Sequence, residues 1–146
     1  MVASENAGRI GLDTSVVLRL LVGDPPDQAR VALETVQDAA AAGRPGLVSD
    51  LVVAEAYFAL HAHYGVPKKE AVTTLRDFLR SDLVQPEGAA LEALEATARA
   101  SRKLGFLDRL IHAQYARASV SLATFEKAAA RLPSAVLLKP SRRREA

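Results

Sequence analysis

The chain has 146 residues, 19 Lys and Arg against 17 Asp and Glu, and no cysteine. A chain of this length can bury one core of ordinary size, and without cysteine it has no disulfide framework, thiolate metal site or thiol nucleophile. About half of the residues are apolar and a quarter are charged, which is typical of a folded domain and excludes a disordered chain.

Short apolar strands alternate with helical segments along the chain. Strands are predicted at 9–12, 46–48, 83–85, 120–123 and 135–138, each bounded by turn-forming or polar residues. Alanine-rich helices are predicted at 15–22, 26–42, 50–64, 68–80, 87–104, 107–118 and 127–132. This alternation predicts an α/β fold with a parallel sheet and right-handed crossovers.

The positive charge of the chain is local. Arg142, Arg143 and Arg144 lie in a polar tail, and without residues 142–146 the body holds 16 basic and 16 acidic side chains. No linker interrupts the body, so we expect one domain over 1–140 and a basic tail at 141–146. No apolar run approaches the roughly 20 residues that span a bilayer, and residues 1–9 lack the pattern of a secretion signal. We therefore expect a cytoplasmic protein.

Two acids follow predicted strands directly. Asp13 ends the first strand, and Glu126 comes just after the fourth. Ligands of open α/β sheets bind beyond the carboxyl ends of the strands, so both acids are candidates for a site. Each also has an ordinary structural explanation, because Asp13 is a good N-cap and Glu126 stands in the first turn of a predicted helix.

Two further acids lie on predicted helices. Glu55 interrupts the apolar run 51–60, and helical spacing places it on one face with Leu51 and Phe58. We expect that face to be buried, where a glutamate requires a partner or a metal; the alternatives are a partly buried face or a paired arginine. Asp108 stands in the first turn of its helix, where an acid also complements the helix dipole.

Four converging carboxylates favour a hard divalent cation. Oxygen ligands select Mg²⁺, Ca²⁺ or Mn²⁺, and Mg²⁺ keeps coordination positions for water and substrate phosphate. The reaction that fits such a site is metal-dependent hydrolysis of a phosphodiester bond with water as nucleophile. The glycine-rich phosphate motifs and the nucleophile elbow are absent from the sequence. His61 and His63 lie about 200° apart around a predicted helix, so they cannot easily share a metal, and we expect them at the surface or at an interface. We expect His112, four residues after Asp108, to be packed and hydrogen-bonded, with contact to the site as the alternative.

Four blocks of the sequence resemble PIN-domain ribonucleases, in particular VapC-type toxins of bacterial toxin–antitoxin pairs. The blocks are GLDTSVVLRLL from Gly11, VSDLVVAE from Val48, FLDRLIHA from Phe106, and LATFEK from Leu122 followed by a closing strand. They occur in the order and with the spacing of the family and cover about residues 9–139. The resemblance implies a three-layer α/β/α fold with a short central parallel sheet of about five strands.

The resemblance also implies a site and partners. Asp13, Glu55, Asp108 and Glu126 would be the catalytic and metal-binding acids, with Ser15 and Thr124 orienting them from outside. The family implies an endoribonuclease that uses Mg²⁺ or Mn²⁺, forms homodimers and is blocked by a small antitoxin protein.

Two departures from the family pattern keep a second function open. The fourth acid is usually Asp and is Glu126 here, and Gly105 stands where many relatives carry another acid. The alternative is therefore a catalytically weak or inactive PIN-like module that binds RNA or a protein. A receiver-like signalling domain fits poorly, because only one acid follows the first strand.

Overall fold

The computed structural model describes residues 7–100 and 104–140. Within these ranges the helices are α1 Thr14–Val22, α2 Pro26–Ala41, α3 Asp50–Ala62, α4 Lys68–Arg80, α5 Ala90–Arg99 and α6 Phe106–Arg117. The strands are β1 Gly46–Val48, β2 Val84–Pro86, β3 Leu122–Thr124 and β4 Ala135–Leu137, with a 3₁₀ turn at Ala129–Arg131. The basic tail at 141–146 lies outside the described residues.

The strands form two short parallel pairs. β1 pairs with β2, and β3 pairs with β4. The first predicted strand is reduced to a bridge between Gly11 and Leu47, with the Leu12 amide donating to the Leu47 carbonyl at 2.9 Å. The predicted α/β fold with parallel strands is confirmed, and four of the five predicted strands form ladders among the described residues.

The segment after α6 explains why β3 starts later than predicted. The Val120 amide donates to the Tyr115 carbonyl at 2.9 Å, and Ser119 has a positive φ of 58°. These residues close the end of the helix, so their backbone groups are not free for the ladder. The predicted helix at 127–132 is likewise shorter, since only the 3₁₀ turn forms there.

The core lies where α1, α3, α4, α5 and α6 cover the β1–β2 pair. Its fully buried side chains include Val17, Val48, Leu75 and Phe106. Tyr57 packs edge-on against Phe106 with ring centroids 5.1 Å apart, and burial raises the pKa of its hydroxyl. Among the described helices, none is both long and apolar enough to cross a membrane.

Asp50, the first residue of α3, caps α5 from across the fold. Its Oδ1 accepts a hydrogen bond from the Ala90 amide at 2.9 Å, and its Oδ2 accepts from the Ala89 amide at 2.9 Å. Oδ2 also accepts from Nε2 of Gln114 on α6 at 3.0 Å. A Cβ at Gly88 would overlap this carboxylate, so glycine is required there for space. Asp50 therefore joins α3, α5 and α6.

We expect Gly88→Ala to lower the free energy of unfolding by about 2–4 kcal/mol, because the added methyl group displaces Asp50 from its donors. Urea denaturation followed by circular dichroism measures this. Gly11→Ala is the control, since a Cβ there meets nothing within 4 Å, and it should change stability by less than about 0.5 kcal/mol. Equal stability of the two variants would contradict the role of the Asp50 contacts.

Candidate active site

Asp13 caps the N-terminus of α1. Its Oδ1 accepts a hydrogen bond from the Ser15 hydroxyl at 2.6 Å and one from the Val16 amide at 3.1 Å. The ordinary explanation of Asp13 as an N-cap is thus confirmed. Because both bonds end on Oδ1, the second oxygen, Oδ2, is the more open to a cation. Capping and cation binding are therefore compatible at this residue.

The same contacts hold the pKa of Asp13 below its ordinary value. The Ser15 hydroxyl has the largest effect, followed by the Val16 amide, while slight desolvation acts in the opposite direction. Donors that favour the charged form keep this exposed carboxylate ionised. An ionised carboxylate with one open oxygen is suited to a divalent cation.

Glu55 does not lie on a buried face, and that expectation is wrong. The buried side of α3 consists of Val53, Ala56, Tyr57 and Leu60. Glu55 is exposed on the opposite side, where Leu51 and Phe58 are 69% and 59% exposed. Since α3 is apolar on nearly all sides, its periodicity does not reveal which face is buried. The alternative of a partly buried face was the better one.

Thr14 connects Glu55 to the region of Asp13. The Thr14 hydroxyl donates to Oε2 of Glu55 across α1 and α3 at 3.2 Å. Thr14 is not among the residues predicted from the sequence, although a hydroxyl residue directly after Asp13 was a visible signal. This contact brings the start of α1 next to the outer face of α3.

A concavity of about 430 Å³ lies where α1, α3 and α6 meet. Its lining includes Thr14, Glu55, Phe58, His63 and Leu107, and we call it the acidic concavity. Asp13 directly precedes Thr14 in the chain, and Asp108 directly follows Leu107. Of the four predicted acids, Glu55 is in the described lining, while Asp13 and Asp108 are each next in sequence to a lining residue.

Glu126 has different contacts. Its backbone amide donates to the Thr124 hydroxyl at 3.0 Å, so this hydroxyl binds the backbone and not the carboxylate. Within residues 7–100 and 104–140, Glu126 makes no hydrogen bond or ion pair with Asp13, Glu55 or Asp108. Its predicted place in the acidic group stays a prediction.

The carboxylate oxygens of these acids are suitable ligands for a hard cation. In the part of the chain that the structure describes, no group of three or more histidines and acids is close enough to enclose a metal. Mg²⁺ needs less than that, because it is commonly held by one or two carboxylates together with waters and substrate phosphate. Asp13 and Glu55, joined through Thr14, offer oxygen donors of this kind.

A larger groove of about 590 Å³ lies between α1 and α2, and its lining includes Ile10, Ser15, Arg19 and Val31. None of the four predicted acids lines it. The smaller concavity is the better candidate for hydrolysis, because Glu55 lines it and Thr14 connects it to Asp13.

The histidines follow the expectations from the sequence. His61 is exposed, as is His63, and His112 shares a hydrogen bond of 2.7 Å between its Nε2 and the Pro133 carbonyl. Because a carbonyl only accepts, this contact fixes Nε2 as the donor.

The structure is a mixed α/β fold whose acidic concavity lies between α1, α3 and α6. Residues 10–134 of the sequence match the PIN domain family, and the chain belongs to that family. PIN domains are typically metal-dependent nucleases. No curated protein and no solved structure matches the chain significantly.

We expect Ser15→Ala to raise the pKa of Asp13, because it removes the donor that stabilises the carboxylate most. The depressed pKa makes a contribution to folding that is present above the pKa of the unfolded chain and is lost as pH falls through the folded value. In Ser15→Ala that contribution is smaller. NMR titration of the side-chain carboxyl carbon of Asp13, without divalent cations, measures this change in pKa. Ser121→Ala is the control and should leave Asp13 unchanged; an unchanged pKa in Ser15→Ala would contradict the assignment.

Proposed function

We propose that this chain is a VapC-type endoribonuclease, the toxin of a toxin–antitoxin pair, which hydrolyses RNA with Mg²⁺ or Mn²⁺. The observation that carries the proposal is the contact between Thr14, the residue after Asp13, and Glu55 in the acidic concavity, which is also lined by Leu107, the residue before Asp108. Membership of the PIN domain family supports nuclease activity at this location.

In the proposed site Asp13 and Asp108 are the main metal ligands, and Glu55 and Glu126 complete the acidic set. A bound Mg²⁺ or Mn²⁺ supplies Lewis-acid chemistry to the scissile phosphate. Ser15 holds the Asp13 carboxylate in its charged form, and Thr14 orients Glu55. Thr124 acts indirectly by fixing the backbone of Glu126. These contacts orient the ligands before the metal and the RNA bind.

We expect Asp13→Asn and Asp108→Asn each to slow RNA cleavage by more than about 100-fold. Even the loss of an outer partner of a metal ligand costs about 10–100-fold, and these variants remove the charge itself. Initial rates on single-stranded RNA with Mg²⁺ or Mn²⁺ measure the effect. Asp82→Asn, which removes an exposed carboxylate elsewhere, should cleave normally. Cleavage by both site variants at the native rate would contradict the proposal.

The second candidate function is a PIN-like module that binds RNA or a protein without cutting it. The contacts of Glu126 favour this alternative, because among the described residues they do not join it to the other acids. Isothermal titration with Mg²⁺ and with Mn²⁺ separates the two functions. An active site should bind at least one of the metals, and an inactive module should bind neither appreciably.

The proposal includes a homodimer and a small antitoxin as partners, in the cytoplasm, with residues 1–140 as one nuclease domain. Support for the dimer comes from exposed apolar residues of α3 and α6, which we call the apolar rim: Leu51, Phe58, Leu107 and Ile111 are between 39% and 69% exposed, and Phe58 and Leu107 line the acidic concavity. Exposed apolar residues grouped in this way are typical of a protein–protein interface. Tyr57, on the same helix, belongs to the core and does not contribute to this surface.

We expect Phe58→Ser to shift the protein from dimer to monomer, because it removes the largest apolar side chain of the rim. Size-exclusion chromatography with light scattering measures the mass. Val31→Ser, which changes a 55% exposed apolar residue on α2, is the control and should remain dimeric. A native protein that stays monomeric at high concentration would contradict the dimer.

A further inference from the structure

A third concavity, of about 550 Å³, lies between α5 and α6 and is lined by arginines. We call it the arginine pocket, and its polar lining consists of Glu92 and Arg99 from α5 and of Arg109, His112 and Arg117 from α6. Pro133 closes one side. The arginine pocket shares no lining residue with the acidic concavity.

The two sites lie on different sides of α6. Leu107 lines the acidic concavity and Arg109 lines the arginine pocket. Two residues along a helix correspond to a rotation of about 200°, so these side chains leave the helix in nearly opposite directions. Arg109 is therefore close to Asp108 in sequence but does not neutralise the acids on the opposite side of α6.

The charge of the arginine pocket is only partly balanced. Arg117 donates to Oε1 of Glu92 at 2.7 Å. Arg99 and Arg109 form no ion pair and no side-chain hydrogen bond with any residue that the structure describes. The described lining thus keeps two unbalanced positive charges. The Nε atom of Arg109 is enclosed by protein, so its side chain is already partly immobilised at the pocket wall.

Arginines of this kind favour an anion with several oxygens. The planar guanidinium matches the geometry of phosphate, and a side chain that is already immobilised loses less entropy when it binds. A phosphate oxygen in the pocket would also give the terminal Nη atoms of Arg109 a charge-assisted acceptor, since this side chain forms no hydrogen bond or ion pair with a described residue.

A neighbouring concavity of about 340 Å³ extends the arginine pocket along α6. The two share His112, Ala116 and Pro133, and the second adds the serines Ser119, Ser121 and Ser134. Serine hydroxyls and backbone groups commonly contact the sugar and phosphate of nucleic acids. A guanidinium pocket followed by hydroxyl groups matches one phosphate and its attached sugar better than it matches an acidic peptide.

We propose that the arginine pocket binds a phosphate group of the RNA chain outside the cleavage site, with the adjoining serines facing the attached ribose. This inference rests on the proposed nuclease function for the identity of its ligand. Arg99 and Arg109 are the main contacts, and Glu92 weakens binding by holding Arg117. The arginine pocket is a positioning site, because it lies apart from the acidic concavity.

Fluorescence anisotropy with a labelled 12-nucleotide RNA in EDTA tests the proposal, because binding is then measured without metal-dependent cleavage. We expect Arg99→Gln and Arg109→Gln each to weaken binding by about tenfold. Each should also lower the slope of log K against log salt by about 0.7, the value for one phosphate contact on a single strand. Glu92→Gln should strengthen binding severalfold because it frees Arg117.

The exposed pair of Arg30 and Glu34 on α2 gives matched controls. Arg30→Gln and Glu34→Gln make the same changes of charge away from the pocket and should leave the affinity within about twofold. The proposal is overturned if the pocket variants bind RNA as these controls do. Inorganic phosphate and adenosine monophosphate serve as competitors, and so does polyglutamate. The proposal is also overturned if polyglutamate displaces RNA as efficiently as unlabelled RNA does. It is overturned as well if the pocket variants weaken binding of adenosine monophosphate but leave RNA binding unchanged.

Kinetics separate this inference from the nuclease proposal. In Mg²⁺, Arg99→Gln should raise KM with little change in kcat, because a phosphate contact away from the reaction binds substrate and transition state alike. If KM is unchanged in Arg99→Gln while cleavage still depends on Asp13, the arginine pocket proposal is overturned and the nuclease proposal is not. RNA binding that depends on Arg99 and Arg109 without cleavage supports the pocket and contradicts the nuclease.

Discussion

The carboxylate of Asp50 accepts three hydrogen bonds from parts of the chain that are far apart in sequence. Two come from the backbone at the start of α5 and one from Gln114 on α6. These bonds supply the cap that α5 lacks locally, since Ala89 has no capping side chain. They also fix α3 relative to α6, the two helices that carry Glu55 and Asp108. The geometry of the acidic concavity therefore depends on the carboxylate of Asp50, which is not one of the proposed metal ligands.

Local signals in the sequence were sufficient for most of the fold. Glycines at 23, 43 and 65 adopt positive φ just after α1, α2 and α3, and Ser49 caps α3 as an N-cap residue should. The alternation of strands and helices gave the parallel α/β arrangement correctly. Strand length was less predictable, because whether residues 9–12 form a ladder depends on a neighbouring strand that a local pattern does not contain.

The sequence identified candidate site residues by their type and position but did not predict how their side chains are arranged. Asp13 could be identified from its position after a strand, and its dual character as a cap was visible as well. The exposure of Glu55 could not be predicted from periodicity, because Leu51 and Phe58 on its face are as apolar as the buried face of α3. The contact of Thr14 with Glu55 and the arginine pocket arise from helices that meet only in the folded chain.

The four proposed site acids, Asp13, Glu55, Asp108 and Glu126, are all exposed. The apolar core contains no buried charged residue within the described ranges, so neutralising Glu55 or Asp108 leaves its packing intact. Single substitutions of these acids can therefore remove the proposed metal ligands and still leave a folded surface. The proposed nuclease and the alternative binding module thus differ by a few exposed carboxylate oxygens.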